Sequence, residues 1–162
     1  MSNKKHLLAD KDSWNNKVEV SAGEIIDKIT ILDIKLTKIK DEEKLKNIRH
    51  EIEVLSESFV DMLNFLSIEK QHRLKHLKTN LFAINLRLWN VEESVRNVGK
   101  DLFGPKVDYD EFIFSLSPNQ FHSANRFMLL ARDVYLVNAE RFELKTKVNK
   151  LLCSEIVEEK SH

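Results

Sequence analysis

Apolar residues along this chain fall at alternating spacings of four and three, the mark of a helix with one buried face. Ile25, Ile29, Leu32, Leu36 and Ile39 form the first series. Leu45, Ile48, Ile52, Leu55, Phe59, Met62 and Leu66 form the second, and Leu74, Leu77, Leu81, Ile84, Leu88, Val91 and Val95 the third. Both are heptad seams of the coiled-coil kind. A fourth series runs through Phe127, Leu130, Val134, Val137, Arg141, Leu144, Val148 and Leu151, with one charged member.

Polar punctuation places the boundaries. Ser21-Ala22-Gly23-Glu24 has the form of a capping box, so helix one is predicted to start at about Ser21. It should stop near Lys40, where Asp41 can cap the next helix. Residues 67–73 are polar but lack Gly and Pro, so the second and third series could be one continuous helix. A rod of more than about fifty residues would reach roughly 75 Å and need a partner along its length, which favours a hairpin. Gly99 offers the left-handed conformation common at helix C-termini and is expected to end the third helix. Residues 100–116 contain Gly104-Pro105 and several aromatics, and read as a loop with a short helical turn laid over the bundle end. Ser117-Pro118-Asn119-Gln120 is a start signal for the last helix. The expected fold is all-α: an antiparallel four-helix bundle with long helices and an irregular loop before the last one. Residues 1–17 form a polar extension, and 18–162 a single domain.

Composition supports this reading. Three Gly and two Pro in 162 residues are too few turn-formers for a sandwich, barrel or doubly wound sheet. The 26 Lys and Arg balance 26 Asp and Glu, which leaves no general attraction for nucleic acid. One cysteine, Cys153, allows neither an internal disulfide nor a thiolate zinc site and suits a reducing compartment. The first twenty residues lack the apolar run of a secretory signal, and no stretch reaches the ~20 apolar residues of a membrane span. A cytoplasmic protein that binds neither membrane nor nucleic acid is expected.

Candidate chemistry centres on Arg141, because an unpaired guanidinium in an apolar seam would cost several kcal/mol. Asn138 and Lys145 share its face, and Tyr135 and Asn149 flank it. On the third helix, Asn85, Glu92 and Arg96 share one flank with Trp89 beside them, and Glu93 is next in sequence. If the flanks meet, they form a polar cavity. Two readings stay open. Glu92 or Glu93 pairs with Arg96 along its own helix and Arg141 with one of these glutamates, a network that sets helix register, or Arg96, Arg141 and Lys145 hold a phosphate or carboxylate of a small ligand. Lys28 and Asp27 on the first helix read in isolation as a solvated face, and Glu24 as part of a cap. A di-iron site would need a second E-x-x-H pair, which the chain lacks. His72 and His76 turn away from their seam, and no phosphate loop, nucleophile elbow or dinucleotide fingerprint occurs. No metal site or cofactor follows from the residues.

Residues 18–35, Val-Glu-Val-Ser-Ala-Gly-Glu-Ile-Ile-Asp-Lys-Ile-Thr-Ile-Leu-Asp-Ile-Lys, with Leu88-Trp-Asn-Val-Glu-Glu-Ser-Val-Arg96, Ala131-Arg-Asp-Val-Tyr135, Asn138, Arg141, Lys145 and the ending Glu-Glu-Lys-Ser at 158–161, are distinctive. In them the chain resembles a small all-helical bacterial and phage family of unknown function, domain-of-unknown-function family 6165. The resemblance runs from Val18 to the C-terminus. It implies that Ser21, Glu24, Asp27, Lys28, Trp89, Glu92, Glu93, Arg96, Arg132, Tyr135, Asn138, Arg141, Lys145 and residues 158–161 are motif positions, and it brings no activity. Residues 1–17 extend beyond the family's usual start, and His162 stands where a tyrosine is expected. Relatives near surface-polysaccharide genes would point the ligand toward sugar phosphates.

The resulting expectation is a helical bundle that binds an anionic small molecule between helices three and four and the start of helix one. Arg96, Arg141 and Lys145 would neutralise it, Asn138 and Tyr135 orient it, and Glu92 or Glu93 accept a proton, with Trp89, Asp27 and Lys28 completing the lining. No residue pattern assigns a reaction. The alternative is a structural or interaction protein that forms a helical homodimer or docks to a partner enzyme.

Overall fold

Short polar side chains start three helices by accepting a backbone N–H that has no acceptor within its own helix. Ser21 Oγ accepts from Glu24 N at 3.4 Å, Asp41 Oδ1 from Lys44 N at 3.2 Å, and Ser117 Oγ from Gln120 N at 3.4 Å. A computed structural model describes residues 18–103 and 117–156. In order, they form α1 (Ala22–Lys38), α2 (Glu42–Phe65), α3 (Ile68–Phe103) and α4 (Pro118–Leu152), with no strand among the described residues. None of these helices is long and apolar enough to cross a membrane.

The expected starts of α1, α2 and α4 are found. Ser117 and Gln120 form a reciprocal capping box with Pro118 at the first position. The hairpin between the second and third series is also found, since α2 ends on the extended backbone of Leu66 and α3 begins at Ile68. One boundary is corrected. Helix α3 does not end at Gly99 but continues to Phe103. Glycine within a helix costs about 1 kcal/mol, and burial of Val98 and Leu102 on either side offsets it. Residues 100–103 of the expected loop are therefore helical, and its remainder lies outside the described residues, as do the whole polar extension and the motif at 158–161.

Contacts give the direction of each helix. Lys28 meets Glu51 while Leu32 packs with Ile48 and Leu45, so α2 runs back along α1. Ile26 clusters with Leu74, Leu77 and Leu81 while Thr30 meets Asn85, so α3 runs with α1. Gly23 meets Asn149 and Asp27 meets Arg141, so α4 runs against α1, and it runs against α3 as well, with Leu151 beside Leu74 and Glu140 beside Arg87. The result is an up-down-up-down four-helix bundle.

Helix α1 is its centre and packs on all three others. Leu32, Leu36 and Ile39 of the expected series serve the α2 side, and Ile29 is buried. A second stripe, Gly23, Asp27, Thr30 and Ile34, is also buried, and three of its members are small or polar. At Gly23 the backbones of α1 and α4 come close: a Cβ there would stand 2.7 Å from Lys145 O and 2.9 Å from Asn149 Oδ1. At about 1.5 Å per residue α1 spans roughly 25 Å and α3 roughly 54 Å. The last polar contact of α1 with α3 is Lys38 Nζ to Asn90 Oδ1 at 3.4 Å, and α3 continues to Phe103 beside the first half of α4.

Candidate functional site

Burying the carboxylate of Asp27 requires donors for both oxygens. Asp27 is 2% exposed. Its Oδ1 accepts from Arg141 Nε at 2.9 Å and from Asn85 Nδ2 at 2.8 Å, and its Oδ2 accepts from the Arg141 terminal nitrogen, completing a two-pronged ion pair. Thr30 Oγ1 donates to the Asp27 backbone oxygen at 2.8 Å and accepts from Asn85 Nδ2 at 2.8 Å. This pattern fixes the Asn85 amide, because the opposite orientation would set its oxygen against a carboxylate and against a hydroxyl whose proton is already used. Asn85 Oδ1 is the one buried side-chain polar atom among the described residues without a hydrogen bond.

One turn toward the start of α1, Lys145 pairs with Glu24. The Lys145 side chain is 9% exposed and the Glu24 side chain 42%, so the pair lies at the edge of the bundle with its acid outward. Glu24 thus departs from the expected capping box: Ser21 receives the Glu24 N–H, but the Glu24 carboxylate goes to Lys145. Asn149 Oδ1 accepts the buried Gly23 N–H at 2.7 Å, and Ser154 Oγ accepts from Ala22 N at 3.5 Å. The positive end of α1 is therefore capped by protein side chains, leaving little for an anion to gain there.

The predicted site residues separate into three groups. Asp27, Arg141 and Lys145 meet between α1 and α4, with Asn138 half-buried one turn before Arg141 and donating to Val134 O at 3.0 Å. Arg96 and Glu92 pair with each other along α3 at 3.8 Å, both largely exposed, and Glu93 is exposed beside them. Trp89 is half-buried, and Tyr135 is 68% exposed on the outer side of α4. Lys28 faces α2, where it pairs with Glu51 at 3.1 Å.

Three expectations are corrected. Arg141 pairs with Asp27 of α1, not with Glu92 or Glu93 of α3. Asp27 is a buried member of the packing and not part of a solvated face. Cations do not outnumber acids at the predicted cavity, because Arg96, Arg141 and Lys145 each stand within ion-pair distance of a carboxylate of the same chain. Thr30 was not singled out in the sequence, although the spacing of Gly23, Asp27, Thr30 and Ile34 by four, three and four marks a second face on α1. With its oxygens committed to Arg141 and Asn85, Asp27 is a poor base or nucleophile and a good register lock. Among the described residues no three His, Cys, Asp or Glu side chains are grouped to hold a metal ion.

Comparison of the chain with protein-family models, with curated proteins and with solved structures finds no match.

Proposed function

We propose that this is an interaction protein that associates with a second copy of itself through the outer face of α4. The observation that carries this reading is a second apolar stripe on that helix. Phe121, Met128 and Tyr135 recur every seven residues, as do Leu129 and Leu136 beside them, and the first three and Leu129 are each more than half exposed. The inner face of the same segment holds Phe127, Leu130 and Val134, so this part of α4 is apolar on two sides. A helix of that kind is built to be covered on both.

The five outer side chains expose on the order of 500 Å² of apolar surface, at the upper end for a monomer's largest patch. Asn125 and Arg132 lie among them and bring the face near the ~800 Å² that each partner contributes to a standard interface. Straight heptad spacing suits pairing with an identical helix by knobs-into-holes packing, and a two-fold homodimer is the commonest closed assembly. The paired state of Arg96, Arg141 and Lys145 favours this reading over an anion held at the predicted cavity.

Sedimentation velocity at micromolar concentration tests it. The wild-type chain should run as a dimer, and Met128→Glu/Leu129→Glu as a 19.0 kDa monomer. Val54→Glu/Val60→Glu, on the exposed side of α2, should remain dimeric. A monomeric wild type, or equal loss in both variants, rules the reading out.

A further inference from the structure

A different part of the surface gathers positive charge without matching acids. Lys70 and Arg73 from the first two turns of α3, and Lys147 and Lys150 from the last two turns of α4, line one groove of about 260 Å³ together with Leu151 and Cys153. Among the described residues no carboxylate lies within ion-pair distance of any of the four, and what sets them apart from other unpaired surface cations is that they line one groove.

Local helix electrostatics accounts for only half of this cluster. Lys147 and Lys150 stand near the negative end of α4, where cations are favourable. Lys70 and Arg73 stand at the positive end of α3, where an acid would be stabilising and a cation is not. Four like charges around one small groove repel, and a bound anion reverses the sign of that interaction. From this arrangement we infer that the groove is a binding site for a compact anion bearing two or more linked phosphates. A single phosphate monoester carries about −1.5 to −2 at neutral pH, too little to balance four cations, whereas a diphosphate comes close. The groove volume lies just below the range of small-molecule sites, which suits a short anion and not an extended polymer. Lys and Arg supply several donors each for phosphate oxygens, and the side of Leu151 gives the floor an apolar patch. This site shares no residue with the α4 stripe, so the two proposals stand or fall separately.

Cys153, the only cysteine in the chain, reports occupancy directly because it is exposed and lines the groove. The rate of its alkylation by uncharged iodoacetamide is measured on the full chain against sodium pyrophosphate, orthophosphate and chloride at matched ionic strength. Pyrophosphate should slow alkylation saturably, orthophosphate should do so only at higher concentration, and chloride should not. Arg73→Met/Lys150→Met should raise the half-saturating pyrophosphate concentration at least about tenfold, and Lys70→Gln/Lys147→Gln should act alike. Lys46→Met/Lys75→Met, exposed cations outside the groove, should leave it unchanged. Titration calorimetry of the same proteins gives an independent affinity. No saturable protection by pyrophosphate, equal protection by chloride, or an equal loss in the Lys46/Lys75 control overturns the assignment.

Discussion

Replacing Arg141 by Met tests the packing of α1 most directly. The substitution keeps the length and apolar stem of the side chain and removes the guanidinium that donates to both Asp27 oxygens. Asp27, 2% exposed, then keeps only the 2.8 Å bond from Asn85. Removing one partner of a buried pair costs about 3–5 kcal/mol, and the lower end applies because the Arg141 side chain is 25% exposed and water can follow the route it leaves. A loss of about 3 kcal/mol is a large share of a domain's ~5–15 kcal/mol and lowers Tm by roughly 6–12 °C for a chain of this size. Urea unfolding followed by far-ultraviolet circular dichroism measures it. Asp27→Leu should be destabilising for the complementary reason, and Asp27→Leu/Arg141→Met should cost less than the sum of the single losses by about 1–3 kcal/mol. An Arg141→Met protein within ~0.5 kcal/mol of wild type, or strictly additive single losses, would refute the view that this pair locks the helices.

Two further outcomes follow from local geometry. Gly23→Ala should destabilise by about 1–3 kcal/mol despite alanine's better helix propensity, because its Cβ would meet Lys145 O at 2.7 Å and Asn149 Oδ1 at 2.9 Å; a melting temperature above wild type would contradict the close crossing. The Asp41 carboxyl is held below its ordinary value of 3.8 chiefly by the Lys44 backbone N–H it accepts, so its cap on α2 is fully present above that value and is lost as pH falls through the lower folded one. The Lys44 amide resonance should therefore titrate with a midpoint below 3.8 and be flat in Asp41→Asn, and a midpoint at or above 3.8 would count against the cap.

Much of the architecture could be read in the sequence because periodicity and capping act locally. The apolar seams gave four helices, and Ser21, Asp41 and Ser117 gave three starts, since each of these signals depends on neighbours within about four residues. Gly99 misled because its effect is set by distant packing: Val98 and Leu102 are buried in the same stretch, and tertiary contacts outweigh one unfavourable propensity. The site was half legible. Arg141 drew notice as a charge in an apolar seam, but its partner could not be chosen by spacing, because nothing local distinguishes Asp27 from the glutamates of α3. Reading α1 as a helix with one buried face placed Asp27 in solvent. It packs on three helices and has two buried faces, one of them written in Gly, Asp and Thr. The basic groove was missed because Lys70, Arg73, Lys147 and Lys150 look like ordinary surface residues until the ends of α3 and α4 are brought together.

The central place of α1 also constrains the order of assembly. Of the four described helices it is the first to leave the ribosome, yet the guanidinium that neutralises its buried acid is encoded 114 residues later, and the amide acceptor for Gly23 later still. At about 5–20 residues per second, the nascent chain waits roughly 6 to 23 seconds between making Asp27 and making Arg141. Helices α1 and α2 can pair during that interval, but closure around Asp27 must be a late, long-range step governed by the docking of α4. A chain that stops short of Arg141 carries a helix whose packing face ends in an unanswered charge.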